Sequence, residues 1–218
     1  MSDQALRADD HANDVGQPRL NRRQAAKVRT RQKVLDAARS LFAQRGYEPA
    51  TIRDIAKVAG MSTGAVFANF QDKAELFEAV LTEDMDRLAD DLKSGAGEGP
   101  VRQRLAASLA AGYHGSLDHL PLMQAIVARS WFQPEAAETR ARAVTARLTA
   151  VVSQILRDGV AAGELSQDAD VPLLTELLWD AYLSNYRRAA YDGWTGQQLA
   201  DHATKQIGVI LAGALTRK

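Results

Sequence analysis

Apolar residues recur at spacings of three and four along most of the chain, and no stretch shows the strict alternation of a half-buried strand. This pattern predicts an all-α fold. An apolar stripe over about residues 27–45 predicts a first helix that Gly46 ends. Thr51 then caps a short helix, Gly60 ends it, and Ser62 caps another. Two helices joined by so short a glycine-containing turn form the helix-turn-helix unit, whose second helix enters the DNA major groove.

The helical pattern continues beyond this unit. Asp72 caps a fourth helix that is predicted to reach about Lys93, and the run SGAGEGP at 94–100 is a clear break. Five more helices are predicted, three of them opened by a proline, which is tolerated in a first turn. Their approximate ranges are 101–117, 121–131, 134 to 159 or 163, 172–191 and 196–215.

One stretch of about fifty residues carries a family resemblance. Residues 33–81, KVLDAARSLFAQRGYEPATIRDIAKVAGMSTGAVFANFQDKAELFEAVL, resemble the N-terminal domain of TetR-family transcriptional regulators. The resemblance implies an all-α fold of about nine helices, with an N-terminal three-helix DNA-binding domain and a C-terminal helical domain for ligand binding and dimerisation. We therefore predict a disordered tail at 1–18, a DNA-binding domain with a basic arm at 19–73 and a ligand-binding and dimerisation domain at 74–218.

The distribution of charge supports a nucleic-acid partner although the net charge is zero. Residues 19–73 hold twelve Lys or Arg and four Asp or Glu, whereas residues 74–218 hold fourteen and nineteen. A basic module attached to an acidic body is typical of proteins that bind phosphate backbones. The arm at 19–31 is either a solvated start of the first helix or a contact to phosphate or the minor groove.

A set of DNA contacts follows from the resemblance and from side-chain chemistry. Arg53, in the first turn of the second helix, can pair with guanine O6 and N7, or it can hold a phosphate. Hydroxyl groups and helix N-termini suit phosphate oxygens, and Lys73 matches the phosphate-gripping lysine of the family. The predicted contacts are Thr51, Arg53, Ser62, Thr63, Gly64, Ala65, Phe67, Asn69 and Lys73.

The second helix of the unit departs from the family pattern at its exposed end. The family usually has Tyr where this chain has Phe67, and often an aromatic residue or His where it has Ala68 and Asn69. Phe67 lacks the hydroxyl that would bond a phosphate, but it can pack against a thymine methyl group. Asn69 can bond adenine or a phosphate. The departure therefore leaves the operator sequence open more than the mode of binding.

The C-terminal part carries scattered aromatic residues, which in the resembled family line a ligand cavity between helices. Such residues can equally be ordinary core. Arg129 lies on an otherwise apolar helix and either fixes an anionic group of a ligand or is a solvated surface charge. The predicted residues for an unknown small-molecule effector are Tyr113, Met123, Arg129, Trp131, Phe132, Trp179 and Tyr182.

Catalysis, cofactors and membrane insertion have no positive signal in the sequence. Spacing and the lack of a third histidine argue against a metal site at His114, Asp118 and His119, and no nucleophile motif or Gly-rich phosphate loop is present. There is no cysteine, no run of eighteen apolar residues and no apolar segment within the first twenty residues. We predict a cytoplasmic protein that is not an enzyme and needs no metal or cofactor.

The last two helices carry apolar stripes that predict an association surface, and two such helices per subunit would form a four-helix bundle. The stripes are Leu174, Leu177, Leu178, Ala181 and Tyr182 on one helix, and Ala203, Ile207, Ile210, Leu211 and Ala214 on the other. The prediction is a homodimeric regulator, more specifically a repressor that a ligand releases from a pseudo-palindromic operator. The alternatives are a helical small-molecule-binding or protein-interaction module whose helix-turn-helix no longer binds DNA.

Overall fold

A computed structural model describes residues 21–129 and 135–216, without the side chains of 126, 128–129 and 135–141. Within these ranges the chain is helical, and its one β-type pairing is an isolated bridge between Leu165 and Leu215. Eight helices have eight or more residues, and α3 has five. They are α1 (Arg22–Arg45), α2 (Ile52–Ala59), α3 (Thr63–Phe67), α4 (Lys73–Gly95), α5 (Val101–Ser116), α6 (Leu120–Arg129), α7 (Glu135–Ala161), α8 (Val171–Asp192) and α9 (Gly196–Ile210). The predicted all-α fold is confirmed.

The ends of the first and last helices differ from the prediction. α1 begins at Arg22 because Asn21 and Gln24 form a capping box, each side chain accepting the backbone N–H of the other residue. The basic stretch is therefore helical almost from its start. α9 ends at Ile210 instead of about 215, since a 3₁₀ turn follows and Ser166 N–H then donates to the Ala214 carbonyl.

One apolar cluster holds α1, α2, α3 and the first half of α4 together. Val34, Phe42, Ile55 and Val66 are among its fully buried members. Phe77 of α4 meets Phe42 edge to face, with ring centroids 5.1 Å apart, a favourable aromatic geometry. The cluster also takes in Leu122 of α6. The helix-turn-helix unit therefore rests on a rigid base that α6 helps to form.

A second cluster lies among α4 to α9, with Leu105, Leu109, Ile155 and Leu199 at its centre. The long helix α4 belongs to both clusters, since Leu76 and Val80 pack into the first and Leu88 and Leu92 into the second. α4 is thus the continuous element between the two. The predicted domain division at residue 73 stays a prediction.

A buried ion cluster joins α1 to α4 between the two apolar clusters. Arg39 is 6% exposed, and its Nε donates to Asp84 Oδ1 at 2.7 Å. Its other nitrogens donate to Asp36 and Glu83, and Arg87 pairs with the same Glu83 and Asp84. Burying a cationic side chain so deeply lowers the stability of the fold unless the cation is fully paired. The position of α1 on α4 is therefore fixed by these ion pairs.

None of the helices in the described part of the chain is both long enough and apolar enough to cross a membrane.

Candidate nucleic-acid interface

The turn between α2 and α3 has the predicted caps. Thr51 Oγ1 accepts the N–H of Asp54, and Ser62 Oγ accepts the N–H of Ala65. Gly60 ends α2 in the left-handed conformation at φ 67°, which costs a residue without Cβ little. The hydroxyl of Thr51 also donates to the Asp54 carboxylate at 2.7 Å, and this bond holds the pKa of Asp54 below its ordinary value.

α3 is shorter than a full helix-turn-helix helix because Asn69 competes for a backbone acceptor. Its side-chain amide donates to the Ala65 carbonyl at 2.9 Å, while its backbone N–H donates to Val66, three residues back. A local side-chain bond of this kind ends regular helix. Val66 and Phe70 are both buried, as their spacing predicted. The amide nitrogen of Asn69, predicted to bond adenine or phosphate, is thus already engaged within the protein.

Most of the predicted DNA contacts lie on the exposed surface of α2 and α3 and of their caps. Thr51, Ser62, Thr63, Gly64 and Phe67 are exposed, and Ala65 is half-buried. Phe67 keeps 54% of its surface accessible, so its ring is available for contact with a partner.

Arg53 projects from the first turn of α2 on this face. It is exposed, and within the described ranges it makes no hydrogen bond or ion pair. Lys57, one turn further along the same helix, is exposed as well. Both cations are therefore available to an anionic partner.

Lys73 makes contacts within the protein that the sequence did not indicate. Its ammonium group donates to the carbonyls of Tyr47 at 3.1 Å and Glu48 at 3.2 Å, and it lies 4.2 Å from the centroid of the Tyr47 ring. These contacts fasten the start of α4 to the loop after α1. Two of its three donors are occupied, so its predicted grip on phosphate has one donor left.

The first three turns of α1 form a basic helical extension beside α3. Residues 22–33 contain six Lys or Arg and no acidic residue, and the first buried side chain of the helix is Val34. An open cleft of about 510 Å³ separates this extension from the end of α3, lined by Arg23, Gln24, Lys27, Thr30, Ala68 and Asn69. The extension places positive charge where DNA bound to α3 would continue.

Arg31 holds the extension against α3. Its Nη1 donates to the Asn69 carbonyl at 2.9 Å, and its guanidinium lies 4.1 Å from the centroid of the Phe70 ring. The helical spacing between Arg31 and the buried Val34 and Leu35 was the signal that could have indicated this inward-facing cation.

The aromatic residues predicted for an effector pocket pack against one another. Tyr113 stacks on Tyr182 with centroids 4.4 Å apart, and Trp179 stacks on Tyr182 at 5.1 Å. All three are buried, as expected if they belong to the ordinary hydrophobic core. Trp131 and Phe132 lie outside the described residues, as does the side chain of Arg129.

A buried hydrogen-bond network ties these tyrosines together. Tyr113 Oη donates to the Tyr182 carbonyl at 3.0 Å, and the hydroxyls of Tyr182 and Tyr186 are 2.8 Å apart. Ser116 Oγ lies 2.5 Å from Tyr186 Oη. Burial raises the pKa of Tyr186 to about 12 and the pKa of Tyr113 and Tyr182 further, since desolvation disfavours phenolate.

A cavity of about 210 Å³ lies next to this network, between α4 and the segment from α5 to α6. Met123, one of the residues predicted to contact a ligand, lines it, while Tyr113, Trp179 and Tyr182 do not. The ligand contact itself stays a prediction. The described residues of its wall are Asp84, Arg87, Leu88, Asp90, Asp91, Gly115, Ser116, His119 and Met123.

The predicted association stripes of α8 and α9 are largely covered by the core of the same chain. Leu174, Leu178 and Tyr182 are buried there, and so are Ala203, Ile207 and Leu211. These six residues are wrongly assigned to an association surface, because periodicity shows that a helix has an apolar side without showing what covers it. Leu177 of the predicted stripe is 45% exposed, and the same two helices also expose Leu173 (49%) and Val209 (77%). The dimer interface itself stays a prediction.

Comparisons with known proteins agree with this geometry. The family model described as bacterial regulatory proteins, tetR family, matches residues 34–80. The HTH-type transcriptional repressor Rv1474c of Mycobacterium tuberculosis is 43% identical over 77 residues, which are 35% of this chain and 41% of that protein, so the match spans less than half of the relative. The HTH-type transcriptional regulator UidR of Escherichia coli K12 is 26% identical over 152 residues, 69% of this chain and 76% of its own.

The fold as a whole is also found in solved structures. A transcriptional regulator from Rhodococcus sp. Rha1 superimposes with a TM-score of 0.71 at 24% identity, covering 84% of this chain and 97% of the other. At this identity the match establishes the fold alone. The match to the family model covers the segment that contains α2 and α3.

Proposed function

We propose that this chain, whose residues 34–80 match the family model of tetR-family bacterial regulatory proteins, is a homodimeric transcriptional regulator of that family. It binds a pseudo-palindromic DNA operator and acts as a repressor that a small molecule releases. No catalytic activity is part of this proposal, because the named relatives are regulators.

The observation that carries the proposal is the face formed by α2, α3 and the basic extension of α1. Exposed hydroxyls and Gly64 lie at the start of α3, Arg53 and Lys57 are exposed on α2, and the extension adds five exposed cations. Phosphate contacts of this kind position a protein on DNA, while a few side chains in the major groove select the sequence. The rigid apolar base beneath the unit keeps these groups in a fixed arrangement.

Dimerisation is proposed through the exposed side of α8 and α9. Leu173 and Leu177 are four apart on α8, and Val209 is exposed on α9 beside Gly208, whose position has no heavy atom within 4 Å of an added Cβ. Two copies of this face can form a four-helix interface about a two-fold axis. The two recognition helices would then meet successive major grooves.

Ligand control is proposed to act through α4 and α6. Both helices reach the apolar cluster under the helix-turn-helix unit, and both line the cavity. Leu122 packs into that cluster, while its neighbour Met123 faces the cavity. A ligand shifts the DNA-binding equilibrium only by its difference in affinity for the two states, and release would need roughly 3 kcal/mol of coupling.

Selection of bound fragments from the source genome, with the purified full chain, tests the proposal. The expected result is enrichment of fragments that share one inverted repeat. The double variant Arg53→Ala/Lys57→Gln should lose the enrichment. Lys93→Gln removes one exposed charge at the end of α4 and should retain it. Equal recovery of all fragments by the wild-type protein would refute the proposal.

A further inference from the structure

The cavity between α4 and α5–α6 is lined by charged side chains, unlike the aromatic core. Its described wall carries three carboxylates, from Asp84, Asp90 and Asp91, against one guanidinium, from Arg87. That guanidinium is already committed, since Arg87 pairs with Asp84 at 3.3 Å and with Glu83 at 3.7 Å. The cavity therefore presents excess negative charge.

Two buried polar atoms of the wall lack hydrogen-bond partners among the described residues. One is Oδ2 of Asp84, whose side chain is 8% exposed although its Oδ1 is bonded to Arg39. The other is Nδ1 of His119. A buried carboxylate oxygen without a donor, such as Asp84 Oδ2, has lost its hydrogen bonds to water without replacement, which destabilises the fold. A ligand that brings N–H donors into this region would recover part of that energy.

Gly115 makes room for a further carboxylate in the wall. A Cβ at this position would lie 2.0 Å from Asp91 Oδ2, so the carboxylate rests against the bare backbone of α5. No described residue donates a hydrogen bond or forms an ion pair to that carboxylate. The glycine thus makes room for a negative group at the edge of the cavity.

From these observations we infer that the cavity is the effector site and that its effector is a small organic cation carrying ammonium or guanidinium groups. The inference rests on the proposed function and adds the chemical class of its ligand. The volume of about 210 Å³ is below the roughly 300–1,000 Å³ of pockets for drug-sized ligands, so the cation is small.

The position of the site also explains how binding reaches the DNA-binding face. Asp84 belongs both to the cavity wall and to the ion cluster in which Arg39 fixes α1 on α4. A cation that draws the Asp84 carboxylate toward the cavity weakens its bond to Arg39. On the other side, Ser116 links the wall to the tyrosine network of α8. Occupancy therefore loosens the contact that sets the position of α1.

Calorimetric titration of the full-length protein tests the inference with 1,4-diaminobutane and agmatine as probes and 1,4-butanediol as the uncharged match of the diamine. At least one of the cations is expected to bind saturably at one site per chain, and the diol is not. Asp91→Asn should weaken binding at least tenfold. Gly115→Ala should do the same by displacing the Asp91 carboxylate, a change that α5 tolerates because only a flexible side chain must move.

The matched control is Asp86→Asn, which removes an exposed carboxylate of the same helix that pairs with Arg147 and does not line the cavity. The Asp86→Asn variant should bind the cations with the same affinity as the wild type. Absence of saturable binding by both cations, or equal losses in Asp86→Asn and Asp91→Asn, would overturn the inference.

Operator binding measured in parallel separates this inference from the proposed function. Specific DNA binding that neither cation weakens would refute the cationic effector and leave the regulator intact. Saturable cation binding by a protein without specific DNA binding would refute the proposed regulator function and support the cationic ligand. If both hold, the cations should lower operator affinity in the wild type and not in Asp91→Asn.

Discussion

At the scale of single residues, we propose Arg53 as the side chain that selects a base. It is exposed on the first turn of α2 and has no partner within the described ranges that would have to be broken first. A bidentate contact to guanine discriminates by about 1–3 kcal/mol. We therefore expect Arg53→Ala to lower affinity for the selected operator by about tenfold to a hundredfold.

Competition between operator and scrambled duplexes distinguishes the two roles of Arg53. A base contact predicts that the loss is confined to the operator. An equal loss on both duplexes, with a salt slope reduced by about one, would show that Arg53 holds a phosphate instead. Lys93→Gln should leave affinity for both duplexes unchanged.

The buried tyrosines make stability depend on alkaline pH. The pKa of Tyr186 is raised to about 12 in the folded chain, above the ordinary value of 10. Below pH 10 the residue is neutral in both states, so stability does not change with its titration. Between pH 10 and 12 only the unfolded chain releases the proton, and about 2–3 kcal/mol of stability should be lost.

Tyr186→Phe should make denaturant-derived stability fall less steeply above pH 10. It should also cost about 1 kcal/mol at pH 7 because the bonds to Ser116 and Tyr182 are removed. Tyr191→Phe is the matched control, since Tyr191 is 76% exposed on the same helix. If the stability of Tyr186→Phe falls above pH 10 as steeply as that of the wild type, the raised pKa of Tyr186 is not the cause of the fall.

At the scale of secondary structure, two glycines of the helix-turn-helix unit should respond differently to substitution by alanine. Gly60 needs its left-handed φ of 67°, so Gly60→Ala should destabilise folding by about 1–2 kcal/mol although no atom blocks the added Cβ. Gly64 has ordinary helical geometry, and an added Cβ there meets Ser62 Oγ at a comfortable 3.8 Å.

Gly64→Ala should therefore preserve or slightly increase the thermal stability of the protein. Its methyl group nevertheless lies on the face proposed for DNA, so operator affinity should fall. Thermal melts and anisotropy titrations of both variants check the pair. Unchanged DNA binding by Gly64→Ala would show that the backbone of α3 does not approach the DNA closely.

Local chemistry explains which elements could be predicted. Thr51, Gly60, Ser62 and Asp72 each act through neighbours within a few residues, and all four take the predicted cap positions. The Arg39 cluster spans about 45 residues of sequence, so no local pattern indicates it. The orientation of α8 and α9 likewise depends on which helices cover them. Of the predicted ligand residues with described side chains only Met123 lines the cavity, because most residues around it are polar or charged types that a prediction based on aromatic residues does not include. The aromatic residues formed the core instead.

At the scale of the whole molecule, the proposed dimer depends on the exposed apolar side of α8 and α9. Leu177→Glu/Val209→Glu should yield a monomer in sedimentation velocity experiments, since two buried like charges per subunit would oppose association. The fold should persist, because both side chains are exposed in the single chain. A monomer should bind operator far more weakly, since it engages only one half-site.

Val58→Glu provides the comparison for that variant. Val58 is 56% exposed on α2, so the substitution introduces the same charge outside the proposed interface. This variant should remain dimeric and lose DNA affinity. A double variant of α8 and α9 that stays dimeric would place the interface elsewhere.

The proposed function depends on specific binding of one DNA sequence by the basic face of α1, α2 and α3. Its most direct test is an anisotropy titration of the dimer against its selected operator and a scrambled duplex across a salt series. We predict a preference of at least a thousandfold for the operator. In Arg23→Gln/Lys27→Gln, the slope of log K against log salt should become shallower by about 0.9 for each phosphate that the variant no longer neutralises. Equal affinity for both duplexes at every salt concentration would contradict the account.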